Sequence, residues 1–413
     1  MVGAGEDRID SILAHEAGRI DMRMVTSLRV RWPRRQPASR DVTPDHPRPP
    51  RRRSRRRRCT LSNQRPTLAD VAATAGVSVS TASLAFSGAG PIAATTRDRV
   101  LAAASELGYS GPNPLGRQLR SGRSGIVGVV IGDALRRSFR DPVSIQVLDG
   151  LVDTLGVLGL GVLLIPGSTG PGAPLVDPLV ESAAMDVAVI MWGSTPHDPV
   201  LTTLRRRGVP VVLLEGQATE GVAAVGIDDR AGMAVLAQHL LDLGHRRIAT
   251  VTLPFDQARR SGPVDDARLA AIEWQVTRRR LAGVRDAGVD LLETWETPAS
   301  LVEHGADAGR ALLSRPDRPT AVVAQSDLLA SGVVLAAREL GLRVPQDVSV
   351  AGFDGLDLPW LAPDSLTTVV QPLQAKGVAV GNAVEALLAG SQPESVVLPV
   401  ELRVGTTSGP APS

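Results

Sequence analysis

Between Thr67 and Tyr109 small apolar residues recur on a helical period, and after Gly122 the period switches back and forth between two and 3.6. In "TLADVAATAGVSVSTASLAF", Leu68, Val71, Ala72 and Ala75 share one helical face. Thr67, answered by Asp70 three positions on, makes a capping box that starts this helix. Gly76 stops it, and Ser78 caps a second helix with Ala82, Ala85 and Phe86 inward, beside Val77 from the turn. A third helix is expected to start at Thr95 with Asp98 answering it. Its stripe would be Val100, Leu101, Ala104 and Leu107, with Gly108 as its stop. A unit this small buries little, so its core must be built of small side chains.

After Gly122 apolar runs alternate with amphipathic segments. The expected strands are 126–131, 161–165, 187–191, 209–214, 223–227, 248–251, 321–324, 348–353, 367–370 and 396–403. Amphipathic segments such as 233–243 and 328–340 separate most of them. Continuous apolar strands with helices between them imply parallel sheets covered on both faces. So many strands exceed one small sheet, and two similar α/β lobes are expected. Residues 1–64 show no sustained period and many prolines, and read as a disordered extension. The expected division is therefore 1–64 extension, 65–112 helix-turn-helix unit, 113–123 hinge, 124–408 two-lobed domain and 409–413 tail.

Charge sharpens this division. The chain of 413 residues has a formal net charge of only +2. Residues 1–64 nevertheless carry 16 arginines against 7 acidic residues, and residues 65–123 carry 6 against 3. The remainder is acidic, so only the front is expected to meet a polyanion. The block Arg51–Arg58 reads as a solvated tail, with an accessory phosphate-binding arm as the alternative. The single cysteine, Cys59, excludes an internal disulfide and fits a reducing cytoplasm. No apolar run reaches the ~18 residues that span a bilayer, and no signal-peptide pattern opens the chain. The six histidines show no metal-ligand spacing, and no phosphate loop or dinucleotide fingerprint follows a strand. No cofactor is expected, and no enzymatic constellation is visible.

Helix, tight turn and helix is the geometry that lays a second helix in the DNA major groove. The outward face of that helix, Val79, Ser80, Ser83 and Leu84, bears no charge. It can meet thymine methyls and bond through hydroxyls, but it cannot make bidentate arginine–guanine pairs.

The blocks "TLADVAATAGVSVSTASLAFSG", "TRDRVLAAASELGY" and "PNPLGRQLRSGRSGIVGVV" resemble the N-terminus of the LacI/GalR family of transcriptional regulators. The resemblance continues in order through "VGIDDRAGMAVLAQHLLDLGHRRIA", "RRRLAGVRDAG", "SDLLASGVVLAARELGLRVPQDVSVAGFDG" and "LTTVVQPLQAKG", spanning about residues 65–408. It implies a DNA-binding headpiece, a hinge helix, and a two-lobed sensor with the fold of periplasmic sugar-binding proteins that also dimerises. Carried over by position, Val79, Ser80 and Leu84 read bases, while Thr81, Ser83, Thr95 and Thr96 contact phosphates. Leu84 departs from the family's frequent arginine, which puts the usual guanine contact in doubt. In the hinge, Leu119 matches a minor-groove wedge flanked by Gln118 and Arg117. In the sensor, Arg280 and Asp354 match ligand-gripping positions. Asp327, Ser326, Glu215 and Asp133 are further ligand candidates. The implied partners are operator DNA, a small polyhydroxylated effector and a second copy of the chain. A solute-binding protein, or a sugar-acting enzyme on the same scaffold, is the alternative. Residues 255–277 exceed the family pattern and read as a solvated surface elaboration; the alternatives are a longer helix before Arg280, or a lid carrying Trp274.

Overall fold

The computed structural model describes residues 66–88, 90–111, 122–132, 134–167, 174–192 and 198–412. The hinge positions Arg117, Gln118 and Leu119, the candidate Asp133, the arginine block and Cys59 lie outside the described residues.

Three helices, α1 (Leu68–Ala75), α2 (Val79–Ser87) and α3 (Ala94–Glu106), form the N-terminal unit. The capping box forms as the sequence requires: Thr67 Oγ1 accepts from the Asp70 N–H at 3.3 Å, and Asp70 accepts from the Thr67 N–H at 2.8 Å. Gly76, at φ +64°, closes α1 in a left-handed conformation that suits glycine. Ser78 Oγ accepts from the Thr81 N–H at 3.1 Å and opens α2. The start of α3 differs from expectation. Ala93 occupies the cap position without a side-chain bond, and Thr95 is exposed in the first turn. Leu101 is 41% exposed and Ala103 takes its place inside. The face is chosen by contact with α1 and α2, whose buried residues are Val71, Ala72, Ala75, Ala82 and Ala85. Val100, Ala103, Ala104 and Leu107 follow the i, i+3, i+4, i+7 spacing of one helical face, from which Leu101 is rotated away. Phe86 and Tyr109 seal one side of this core, their rings edge-on at 5.6 Å.

Thirteen strands among the described residues build two sheets. The first lobe holds β1 (Ile126–Ile131), β2 (Gly161–Pro166), β3 (Val187–Met191), β4 (Val211–Leu214), β5 (Ala223–Ile227) and β12 (Val396–Leu398). Their order is β12-β5-β4-β3-β1-β2, and all pairs are parallel. The second lobe holds β6 (Ile248–Thr252), β7 (Gly262–Pro263), β8 (Leu291–Glu296), β9 (Ala321–Ala324), β10 (Ser349–Asp354), β11 (Thr367–Val370) and β13 (Glu401–Arg403). Their order is β13-β11-β10-β9-β6-β8-β7, with only the edge strands β13 and β7 antiparallel.

Three expectations change. The single strand expected over 396–403 is two, one in each sheet, because Pro399 lacks the N–H needed to continue a ladder. The strand β8, "LLETWE", is only partly buried, so its apolar positions do not form a recognisable run. The expected tail is anchored as far as Ala411: buried His245 bonds Ser349 Oγ and the Gly409 carbonyl at 3.0 Å each, and the Ala411 N–H donates to Leu243.

The chain passes between the lobes three times: after β5, between β11 and the helix Leu373–Leu388, and between β12 and β13. Each lobe is stiffened by a helix pair in backbone contact. In the first, Gly377 on Leu373–Leu388 lies against the Val147 carbonyl of Pro142–Val157, while Gly150 lies against the Gln374 carbonyl. In the second, Gly332 meets the Val302 carbonyl and Gly305 meets Leu329. A methyl at Gly377 has no room, so Gly377→Ala is expected to cost about 1–3 kcal/mol through overpacking. Urea unfolding should show a lower midpoint, whereas Gly156→Ala, where a methyl meets nothing within 4 Å, should leave it unchanged or raise it.

Candidate functional site

Two places gather the side chains singled out above. The first is the outward face of α2. Val79 is 50% exposed and Ser80 is exposed, while Thr81, Ser83 and Leu84 are half-buried. Ser78 Oγ lies 2.8 Å from both Ser80 Oγ and Thr81 Oγ1, so the cap also orients those hydroxyls. Leu84 leans toward Gly90, where a Cβ would stand 3.2 Å from its methyl. Thr95 and Thr96 sit in the first turn of α3. No charged residue lies on α2.

The second place is a cavity of about 160 Å³ between the lobes. The first lobe contributes Gly132, Arg137, Ser138, Asp141 and Trp192. The second contributes Arg259, Trp274, Arg280, Ser300, Ser326 and Asp354, and Gln371 comes from the second lobe crossing. Arg280, Ser326 and Asp354 are thus brought together, as expected. Asp354 ends β10, and Ser326 caps the helix Asp327–Glu339 by accepting from the Leu329 N–H at 3.2 Å. These are C-terminal ends of parallel strands, where open α/β sheets place ligands.

Glu215 and Asp327 are corrected: neither lines the cavity. Asp327 is fully buried behind it, accepting from Thr368 Oγ1 at 2.6 Å and from the Leu356 N–H at 2.7 Å. Its carboxylate ties the turn after β10 to β11. Glu215, at the end of β4, pairs with Lys376 on the helix Leu373–Leu388. Both were ligand candidates by resemblance; both side chains are buried and held by partners behind the cavity.

Behind the cavity runs a continuous polar chain that sequence reading missed. Arg280 Nε donates to Asp229 at 2.8 Å, and its guanidinium lies 3.4 Å from Asp354 and 3.8 Å over the Phe353 ring. Gln371 Nε2 donates to Asp354 at 2.6 Å, and Lys376 Nζ donates to Gln371 Oε1 at 2.7 Å and to Glu215. The chain therefore crosses from Asp229 in the second lobe to Glu215 in the first. One signal was available: Lys376 is the sole lysine of the sequence, set among apolar residues.

Three carboxylates here face two cations, and Glu215 Oε2 and Asp229 Oδ2 are buried without hydrogen-bond partners. The cluster is one positive charge or one proton short. Burial accordingly pushes Asp229 up to about 6, with Arg280 opposing and Glu215 reinforcing the shift. Burial also holds Asp354 well above the ordinary carboxylate range, and pushes Asp327 up to about 6.

Backbone strain gathers at the same place. The non-glycine residues with positive φ among those described are Trp192 (+65°), Glu215 (+60°), Arg259 (+47°) and Asp354 (+134°). Trp192, Arg259 and Asp354 line the cavity, and Glu215 stands behind it, linked through Lys376 to the lining residue Gln371. Such conformations cost roughly 1–3 kcal/mol apiece and persist where the surroundings enforce them.

The sequence matches two family models: "Bacterial regulatory proteins, lacI family" over residues 67–113 and "Periplasmic binding protein-like domain" over residues 237–408. A helix-turn-helix-type transcriptional regulator of Mycobacterium tuberculosis is 36% identical over 356 residues, covering 84% of this chain and 98% of the relative. The chain belongs to the LacI family. Its members named here are transcriptional regulators, IpsA of Corynebacterium glutamicum among them at 34% identity, with 83% of this chain and 96% of IpsA covered. A LacI-family crystal structure from Corynebacterium glutamicum superimposes with a TM-score of 0.63 at 30% identity, covering 83% of this chain and 99% of that one. The complex of the regulator CelR with cellobiose superimposes with a TM-score of 0.58 at 28% identity, covering 83% and 100%. The lac repressor dimer bound to operator and the anti-inducer ONPF shares the fold, with a TM-score of 0.67 at 24% identity over 84% and 100% of the two chains. No single helix among the described residues is long and apolar enough to cross a membrane.

Removing one partner of the buried pair leaves an uncompensated charge, so Lys376→Met is expected to cost about 3–5 kcal/mol. The double variant Lys376→Met with Glu215→Leu should recover most of that loss in urea unfolding. A second expectation concerns pH. Asp229 and Asp327 titrate near 6 in the folded chain and near 3.9 unfolded, so between those values the native state holds the extra protons. Their contribution to stability is complete below about pH 4 and is lost as pH rises through about 6. Asp327→Asn should therefore flatten the fall in urea midpoint between pH 4.5 and 6.5.

Proposed function

We propose that this chain is a cytoplasmic, nucleoid-associated transcriptional repressor that binds an operator as a homodimer and releases it when a small polyhydroxylated effector occupies the inter-lobe cavity. The observation that supports it best is the polar chain behind that cavity: it joins the lobes through Arg280, Asp354 and Gln371, and all three also line the cavity itself. A ligand hydroxyl that donates to Asp354 or accepts from Arg280 enters the network that sets how the lobes meet. Sugar hydroxyls suit it because each both donates and accepts. The cellobiose complex of CelR supports the ligand class, and the operator complex of the lac repressor supports the dimer and the DNA.

On DNA, Val79, Ser80 and Leu84 read base edges, while Thr81, Ser83, Thr95 and Thr96 hold phosphates and fix register. The absence of charge from α2 leaves affinity to come from paired headpieces and from the hinge arginine Arg117. Leu119, with Gln118 beside it, wedges a minor-groove step, bending the duplex at a cost of about a few kcal/mol per step. Ligand binding shifts the lobe angle and so the spacing of the two hinges.

Gel shift of the full chain on the DNA upstream of its own gene, with and without a sugar panel, tests this reading. Arg280→Ala should keep operator binding and lose its response to ligand. Val79→Ala should weaken the specific complex by about tenfold, the usual cost of one spoiled base contact, and leave non-specific DNA binding unchanged. Operator release in Arg280→Ala at the same ligand concentration as in the unaltered chain would refute the cleft as the sensor.

A further inference from the structure

The segment from Phe255 to Trp274 is mostly exposed, as read from the sequence, yet it is pinned to the second lobe at defined points. Phe255 is fully buried and packs with Ile272 and Leu281 in a small core of its own. On the short helix Asp266–Ala270, Arg268 grips Glu296 of β8 with two hydrogen bonds of 2.7 Å and pairs with Asp256. Its guanidinium also lies 5.1 Å over the Phe255 ring. The side chain is only 10% exposed, a geometry in which a bidentate pair fixes position. Strand β7 adds a pairing to β8.

This clamp aims two side chains at the cavity. Asp256 accepts from the Ala258 N–H at 2.8 Å, and its carbonyl accepts from the Arg259 N–H at 3.3 Å, holding Arg259 at φ +47°. Arg259 donates to the Pro298 carbonyl at 3.1 Å and lies 4.9 Å over the Trp274 ring. The Trp274 N–H is tied to the Phe255 carbonyl at 3.1 Å. Arg259 and Trp274 line the cavity from the second lobe, and Trp192 lines it from the first. The Trp192 indole N–H is buried without a hydrogen-bond partner among the described residues.

We propose that this insertion sets effector size: Arg259 and Trp274, positioned by Arg268, wall the cavity so that it accepts one polyhydroxylated ring and excludes a second. The proposal rests on the cleft being the effector site. The volume of about 160 Å³ falls well below that of pockets for drug-sized ligands, about 300–1,000 Å³. An indole offers its face to the C–H side of a sugar ring, the stacked guanidinium donates to ring hydroxyls, and the Trp192 N–H supplies a donor from the other lobe. A second ring would have to displace Trp274, which the Arg268 clamp resists.

Isothermal titration of the full chain with single-ring polyols, pentoses and hexoses among them, and with cellobiose and maltose tests this. The unaltered chain should bind at least one single-ring polyol tenfold or more tightly than either disaccharide. Trp274→Ala and Arg259→Ala should weaken the single-ring ligand and narrow that ratio. Trp274→Leu, which keeps apolar volume, guards against misfolding of the alanine variant. Arg268→Met should narrow the ratio too. A ratio unaltered in all four variants, with Arg280→Ala abolishing binding, overturns the size wall and leaves the effector site standing. Disaccharide binding as tight as any single-ring ligand overturns it as well. No binding of any polyol overturns the effector site and the wall together.

Discussion

Five ionisable groups buried between the lobes govern the rest of the molecule. Taking a charge out of water costs several kcal/mol after relaxation, so each such group obliges a neighbour to occupy one place. Arg280 must stand between Asp229 and Asp354, Gln371 must bridge Asp354 to Lys376, and Lys376 must reach Glu215. Those residues come from a helix start, a strand end, a lobe crossing and a helix interior. The lobes are therefore joined by a requirement for charge balance as much as by the backbone that passes between them. Three carboxylates face two cations, so the charge balance of this network is incomplete.

The strained residues fit the same account. Trp192, Glu215, Arg259 and Asp354 hold backbone conformations that side chains avoid, and three of the four line the cavity. Strain of this kind is tolerated where packing over-determines it. The glycine-mediated helix pairs provide that rigidity on either side, since backbone-to-backbone contact leaves no side chain free to yield.

The N-terminal unit follows a different rule. It has few large side chains and no buried charge, and its stability comes from caps and close alanine packing. Its outward helix, α2, carries no charged residue.

How much of this was legible in the sequence depends on how local each decision was. The capping box at Thr67, the stop at Gly76, the inward alanines and nearly every buried parallel strand follow from neighbours within a few residues, and the chain fixed them by itself. Arg280, Ser326 and Asp354 were marked by the family resemblance of their motifs; the fold then sets Ser326 at a helix start, Asp354 at a strand end and Arg280 within a helix. Other decisions belong to distant partners. Ala103 lies inside and Leu101 outside because contact with two other helices sets the buried face, and 396–403 divided between sheets because Pro399 breaks a ladder that each lobe then completes. Glu215 and Asp327 turned inward because Lys376 and Thr368, 161 and 41 residues away, wait for them there. The insertion is mostly exposed, as read, but the pairing of Arg268 with Glu296 that pins it to β8 joins residues 28 apart and leaves no mark in the local pattern. Periodicity and caps specify elements; only the folded chain decides which charges meet, because burial makes an unpaired charge too costly to leave to chance.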